Sequence, residues 1–381
     1  MKKQLIPIAL SAAVFAVSFF FQRRTLSEEE FNGLFLFSRD YFMETLTSPL
    51  PVSRLVSDFL LQLFYYPPVG AAVEALLICG IFILLRRLTA FSGTSIPATA
   101  IACTVWYFMA FKATPAIAVT SLIVSAALCA LVLPFIKGRK KENKLSIAAS
   151  LIIIFVFGIS IPCNGKVKEN EEWAGIEYAA RKHDWQMLLD IATPDRASVD
   201  RDMIPYALLA LNATGRLQDG MTEYPVRSTQ DLDMAGQTSR KAYYFNSILY
   251  EMLDVPNEAI HCTFQAACTL PHGTGNGMLR QLIKFNIMRG DAEMVKKYSS
   301  VLSRSPMNRR LALLALSIAE ELEPRTDVDS SFLAPVMARD PFLSLLRTGA
   351  AGNDSRFLKD RVSAYLETSP ELRKKLLDNH E

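Results

Sequence analysis

Histidine is scarce in this sequence, with four residues scattered over 381 positions, and the six cysteines never form a Cys-x-x-Cys pair. A zinc site needs three or four such ligands at short spacings, so the pattern argues against a metal centre. No Gly-x-Ser-x-Gly elbow, phosphate-binding loop or dinucleotide fingerprint is present either, and no cofactor is expected. The one glycine-rich stretch, "HGTGNG" at His272–Gly277, has no strand before it and reads as a loop whose Asn276 or Gly277 opens a helix. Long uncharged runs are rare after Pro162, and acidic residues are sparse before it.

What is present divides at that proline. Residues 1–162 hold 14 Lys/Arg against 8 Asp/Glu, a net charge of +6, while residues 163–381 hold 27 against 30, a net of −3. The basic residues of the first half sit at the ends of apolar runs rather than in a patch, which argues against nucleic acid as a partner. The sequence therefore predicts an all-α protein of two domains, a transmembrane domain over 1–162 and a soluble helical domain over 163–381. The lipid bilayer is the first expected partner.

Five apolar runs are candidates for membrane helices, which need about 17–25 residues. They cover residues 5–21, 69–85, 95–111, 114–136 and 145–162, the third and fourth joined only by "KAT". The first is either a cleaved signal, with Val14-Phe15-Ala16 as a loose cleavage site, or an uncleaved anchor. The run continues through bulky aromatics to Phe21, which favours the anchor. With the N-terminus in the cytoplasm, Lys2, Lys3, Arg86, Arg87, Lys137, Arg139, Lys140, Lys141 and Lys144 fall inside. Arg23, Arg24, Arg39, Arg54 and Lys112 fall outside, which satisfies the positive-inside rule. Five spans then place the second half in the periplasm of a bacterial inner-membrane protein; a change of one span reverses that. Free cysteines weigh mildly against an oxidising compartment. Cys262 and Cys268 lie too far apart on one helix to bridge each other, and Cys163 is the remaining partner for either.

Between the first two runs lies "FLFSRDYFMETLTSPLPVSRLVSDFLLQLFYYPP", Phe35–Pro68. Its charges exclude a span, and Pro49 with Pro51 divide residues 31–66 into two interfacial amphipathic helices, about 31–47 and 52–66. Asp40 and Glu44 share one helical face. Together with Asp58 they are weak candidates for base or metal-assisted chemistry, set against the plainer reading of a solvated helix face. Glu74 lies inside the second run, where a carboxylate is costly and therefore functional by default. Its alternatives are interfacial water or pairing with Lys112.

After Cys163 the apolar residues recur with a helical period broken by short turns. Helices are expected at 171–183, 184–192, 202–214, 239–253, 257–270, 277–290, 291–305 and from 308. Gly215 and Gly290 act as C-caps, and Asp184 and Asp291 as N-caps. Asp184 as a cap also accounts for His183-Asp184-Trp185 better than catalysis does. Pairs of roughly 14-residue helices around tight turns are the arithmetic of a tetratricopeptide-like solenoid, and Ala292, Val295 and Tyr298 should face the partner helix. A generic helical bundle is the alternative. "LQDGMTEYPVRSTQDLDMAGQ", Leu217–Gln237, reads as an exposed extended loop.

"LFLFSRDYFMETLTSPLPVSRLVSDFLLQLFYYPPVGAAVEALL" resembles the N-terminal signature of an uncharacterised family of multispanning membrane proteins from Bacteroides-type bacteria. "ALLALNATGRLQDGMTEYP" and "GDAEMVKKYSSVLSRSP" are similar to the opening and a later turn of that family's tetratricopeptide-like region. The resemblance covers the first fifth of the chain and about residues 170–305, and stops at Pro306. It implies architecture and no mechanism, and members usually carry more spans than the five counted. Two functions compete, and a third, a small transporter component, rests on Glu74 alone. In one, a membrane-anchored scaffold binds an envelope protein or peptide on its helical surface. In the other, a glycosyltransferase-like enzyme acts on a lipid-linked substrate through Asp40, Asp58 and Glu74.

Overall fold

In the computed structural model, residues 4–112, 114–135, 143–226, 234 and 237–323 are described, the side chains of 218 and 219 excepted. All their regular structure is helical. The described residues form two compact units: one holds those up to Ala174 together with Ser303–Arg310, the other those of Gly175–Leu302 and 311–323. The boundary lies twelve residues beyond Pro162, inside a helix.

The first unit begins with α1 (Leu5–Phe21), α2 (Arg23–Asn32), α3 (Arg39–Thr47) and α4 (Pro51–Leu61), the last running into a 3-10 turn, Gln62–Tyr65. Then follow α5 (Pro67–Leu88), α6 (Ile96–Lys112), α7 (Ala116–Val132), α8 (Lys144–Cys163) and the start of α9 (Gly165–Lys182). Among the described residues three helices are long and apolar enough to cross a membrane: Pro67–Leu88, Ala116–Phe135 and Lys144–Cys163. α1 and α6 are 17 residues each. At 1.5 Å per residue that is about 26 Å, short of a hydrocarbon core of about 30 Å. α1 reaches span length only if counted together with α2, from which it is bent by 80°.

α5 sits centrally, packed on α1, α2, α6 and α7, while α8 packs on α1 and α6. Small side chains make the close approaches: Ala71, Ala98, Ala102 and Ala118 are all fully buried, with Leu10, Ile78, Ile81 and Trp106 filling the space between helices. In lipid, apolar side chains gain little by leaving their surroundings, so close backbone approach and interhelical hydrogen bonds do more of the holding. Ser146 and Ser150 on α8 supply such bonds to Ser95 at the start of α6, at 2.9 Å to its N–H and 2.9 Å to its hydroxyl.

The two helices expected over residues 31–66 are shorter than the pattern implied. Leu34–Phe37 is non-helical, and the Phe37 N–H donates to the Arg304 carbonyl at 2.9 Å, a bond a helix would have used internally. α3 starts where Ser38 accepts from the Tyr41 N–H. Phe35 is buried with its ring edge-on to those of Phe37, Tyr41, Phe42 and Phe59. Phe37, Met43, Leu46, Leu50, Val52 and Phe59 remain exposed.

The second unit takes the end of α9 and continues through α10 (Trp185–Ile191), α11 (Pro194–Val199), α12 (Met203–Ala213) and α13 (Leu217–Gly220). α14 (Arg240–Met252), α15 (Pro256–Cys268), α16 (Asn276–Arg289), α17 (Ala292–Leu302) and α18 (Arg309–Glu321) complete it. From α14 to α17 each helix packs on the next. Val295 and Tyr298 are buried as their spacing required, and Ala292 is half-buried. The stretch expected as an exposed loop behaves differently: Leu217, Met221, Tyr224, Val226 and Met234 are all buried. The Tyr224 hydroxyl donates to the Ala192 carbonyl at 2.7 Å, and burial pushes the phenol up to about 12. Positions 227–233, 235 and 236 of that stretch lie outside the described residues, as does the tail after 323.

Candidate functional site

The polar groups of the first unit are the place to look for chemistry, because burying them in an apolar bundle is costly unless each finds a partner. The three sequence candidates have different surroundings. Asp40 is exposed in the first turn of α3. Asp58, half-buried on α4, accepts from the Tyr41 hydroxyl at 2.8 Å and lies 3.9 Å from the Arg54 Nε. That phenol also contacts the Leu34 carbonyl at 3.2 Å, and burial together with the Asp58 charge pushes its ionisation well above the ordinary range. Asp58 thus holds the turn between Leu34 and α4 in place, a structural task. Glu44 is exposed. Among the described residues no three His, Cys, Asp or Glu side chains are grouped to hold a metal ion, and none of the six cysteines forms a disulfide.

Glu74 is the candidate the fold isolates. Only 6% exposed on α5, it has Ser18 of α1 as the polar side chain acting on it. Glu74 Oε2 and Ser18 Oγ, both buried, have no further hydrogen-bond partner among the described residues. Lys112, the partner the sequence offered, instead places its Nζ 5.9 Å from the Phe111 ring centroid.

Two buried polar arrangements escaped sequence reasoning. The first lies at the α1–α2 bend. The N-cap residue Gln22 sends its side-chain amide to the Ala110 carbonyl at 3.1 Å and so does not cap α2. Glu171, from α9, takes its place: its carboxylate accepts from the Arg24 N–H at 3.0 and 3.1 Å, the Thr25 N–H at 2.9 Å and the Thr25 hydroxyl at 2.8 Å. These are the otherwise orphaned donors of a helix N-terminus, where a negative charge is favoured. Burial raises the Glu171 carboxyl above the usual range, and the Thr25 and Arg24 bonds pull it back. The second arrangement is a chain of side chains. Ser305 donates to Gln62 Oε1 at 2.5 Å, and Asn308 donates to Ser305 at 3.0 Å and to Glu30 at 3.3 Å. All four residues are essentially inaccessible. Neither set has a local sequence signature, since Thr25 and Glu171 are 146 positions apart and Glu30 and Asn308 are 278 apart.

The second unit carries its own ordered polar groups. Glu177, buried within the apolar stripe of α9, forms a forked pair with Arg240 at 3.0 and 3.1 Å. Arg181 donates to the Tyr244 hydroxyl at 2.6 Å. His183 Nε2 is 3.0 Å from Glu251, which also meets Lys284, and the imidazole stacks on Trp185. Asp184 accepts from the Met187 N–H at 3.1 Å and Asp291 from the Met294 N–H at 3.0 Å, so both are N-caps as the sequence indicated.

The turns repeat. At His183, Gly215, Asp254 and Gly290 the backbone is left-handed, with φ of 55°, 69°, 56° and 80°. In each case the next residue's N–H closes back five residues at 2.9 Å, to Ala179, Leu211, Tyr250 and Asn286 respectively. The left-handed N–H itself closes back three residues at 3.0–3.1 Å. This is the Schellman ending, and it terminates α9, α12, α14 and α16 alike.

With the geometry in view, the chain can be placed among known proteins. The model of a "Family of unknown function (DUF6057)" matches residues 1–159 and 96–326, and the chain belongs to that family. The match runs past Pro306, where the resemblance in the sequence ended. No curated protein and no solved structure matches the chain.

Proposed function

We propose that this is a multi-pass protein of a bacterial inner membrane whose second half is a tetratricopeptide-like solenoid that docks another envelope protein or an extended peptide. The observation that supports the solenoid is the fourfold Schellman turn. It recurs at 183, 215, 254 and 290, every 32 to 39 residues, each time between the first and second helix of a pair. A repeat of helix, tight turn and helix at about 34 residues is the tetratricopeptide period. Stacked pairs of that kind present a curved surface, which suits elongated partners. In the first half, the apolar residues left exposed on α3 and α4 fit a collar lying at the lipid–water interface, as an amphipathic helix does. With the N-terminus in the cytoplasm, an odd number of spans, either the three long helices alone or all five apolar runs, puts the solenoid in the periplasm.

The glycosyltransferase-like alternative needs carboxylates facing a shared substrate. Asp40 in solvent, Asp58 on Tyr41 and Glu74 in the helix interior lend it no support. Photo-crosslinking from Phe264 and Leu314, two exposed apolar positions, in native membranes tests the docking reading. It expects one protein species recovered reproducibly, and lost when Gly290 is replaced so that the turn is strained. Recovery of none across growth conditions refutes it. A reporter fused after Pro162 tests the orientation, and cytoplasmic activity there reverses it.

A further inference from the structure

Glu74 and Ser18 are not explained by a scaffold. They lie on α5 and α1, which pack together, Ser18 is the side chain that acts on the carboxylate, and each has a buried oxygen without a further hydrogen-bond partner among the described residues. Buried polar atoms are nearly always satisfied, so two orphans on adjacent helices need a cause. The charged groups of the surrounding elements are engaged elsewhere or distant. On α2, the Arg24 charge acts on Glu171, Glu30 accepts from Asn308, Glu28 accepts from Asn32, and Arg23 lies 5.9 Å from the Phe19 ring centroid. Glu29 of α2 has interactions of its own. Lys112 of α6 lies by Phe111, α1 and α7 carry no charge, and Arg86 and Arg87 sit in the last turn of α5, three turns away. The 3-10 turn before α5 contributes Gln62, bonded to Ser305, and an exposed Tyr65.

A carboxylate without a counter-charge inside a membrane helix costs several kcal/mol, and a small cation removes that cost. Two hard oxygens, one anionic, suit a singly charged ion. A divalent ion would leave one positive charge uncompensated by the single carboxylate in the helix interior. We infer that Glu74 and Ser18 form a monovalent-cation site within the membrane unit, taking up one H+ or one Na+. Uptake of H+ converts the carboxylate to the neutral acid and uptake of Na+ forms an ion pair; no electrons move in either.

Dicyclohexylcarbodiimide tests this on the full chain in membrane vesicles. The reagent attacks only the protonated acid. The acid proton passes to a carbodiimide nitrogen, the carboxylate oxygen bonds to the central carbon, and rearrangement leaves a stable N-acylurea detectable by mass on the Glu74 peptide. The expected result is an adduct on Glu74 that falls at least about tenfold from mildly acidic to mildly alkaline pH and is missing in Glu74→Gln. Protection by sodium chloride relative to choline chloride identifies Na+ as the occupant, and no protection identifies H+. Ser18→Ala shifts the half-maximal pH or sodium concentration about tenfold, equivalent to about 1.4 kcal/mol. Infrared difference spectra give a readout that does not depend on reagent access: a carboxylic-acid band that titrates in the wild type and vanishes in Glu74→Gln. An adduct insensitive to both pH and sodium, or neither adduct nor band, overturns the inference.

Discussion

Replacing Glu171 with alanine removes the group that terminates α2, although the two are far apart in the chain. The wild-type carboxylate accepts from two backbone amides and one hydroxyl, all at 3.1 Å or less. Loss of an N-cap costs about 0.5–2 kcal/mol. Hydrogen bonds to a charged group are worth about 1.5–3 kcal/mol, and Thr25 is buried, so water replaces the lost acceptor poorly. The expected destabilisation of Glu171→Ala is therefore about 2–3 kcal/mol. Glu171→Gln keeps one carbonyl oxygen and should lose about half as much. The assay is equilibrium unfolding in mild detergent, with hydrogen exchange at the Arg24 and Thr25 amides as the local readout. Protection of those two amides should fall in Glu171→Ala while the helices of the second unit keep theirs. A Glu171→Ala protein within about 0.5 kcal/mol of wild type, with both amides still protected, refutes the assignment of Glu171 as the cap of α2.

Three further outcomes are expected. Arg240→Ala strands the buried Glu177 carboxylate and should cost about 3 kcal/mol or more in the second unit by chemical denaturation, whereas an exposed pair such as Lys166–Glu169 should cost almost nothing when broken. Gly290→Ala forces a methyl-bearing residue to φ 80° and should lose about 1 kcal/mol, while Asp254→Gly at φ 56° should be neutral or stabilising; thermal melts of the two should move in different directions. Tyr224 is the pH case: its phenol ionises at 10.0 when unfolded and about 12 in the fold. The unfolded chain alone ionises between those values, so stability is full below about pH 10 and falls as the pH rises toward 12. Tyr224→Phe should cost about 1 kcal/mol at neutral pH through the lost bond to Ala192 and flatten that alkaline decline in urea titrations.

Much of this architecture is legible in local sequence because helices are local objects. The 3.6-residue spacing of Trp173, Ile176 and Ala180, the caps Asp184 and Asp291 and the stop at Gly290 depend on neighbours a few positions away. The same locality explains two misses. His183 and Asp254 form the same left-handed ending as Gly215 and Gly290, but without glycine the composition gives no sign of it. Leu34–Phe37 has the composition of a helical segment, yet is pulled out of it by a backbone bond to Arg304. Glu74 was visible as an acid in an apolar run; its isolation from Lys112 and its place beside Ser18 of α1 were not.

By itself the sequence determined the all-α class, the apolar runs of the first half and the helix-turn-helix rhythm of the second, since each rests on periodicity, charge and turn chemistry within a few residues. Only the tertiary structure decided that Glu171 caps α2, that Ser303–Arg310 belongs to the first unit, and that Ser305 and Asn308 reach Gln62 and Glu30 there. The physical reason is that a buried polar group must be satisfied wherever a partner lies in space, and separation along the chain places no limit on where that partner comes from.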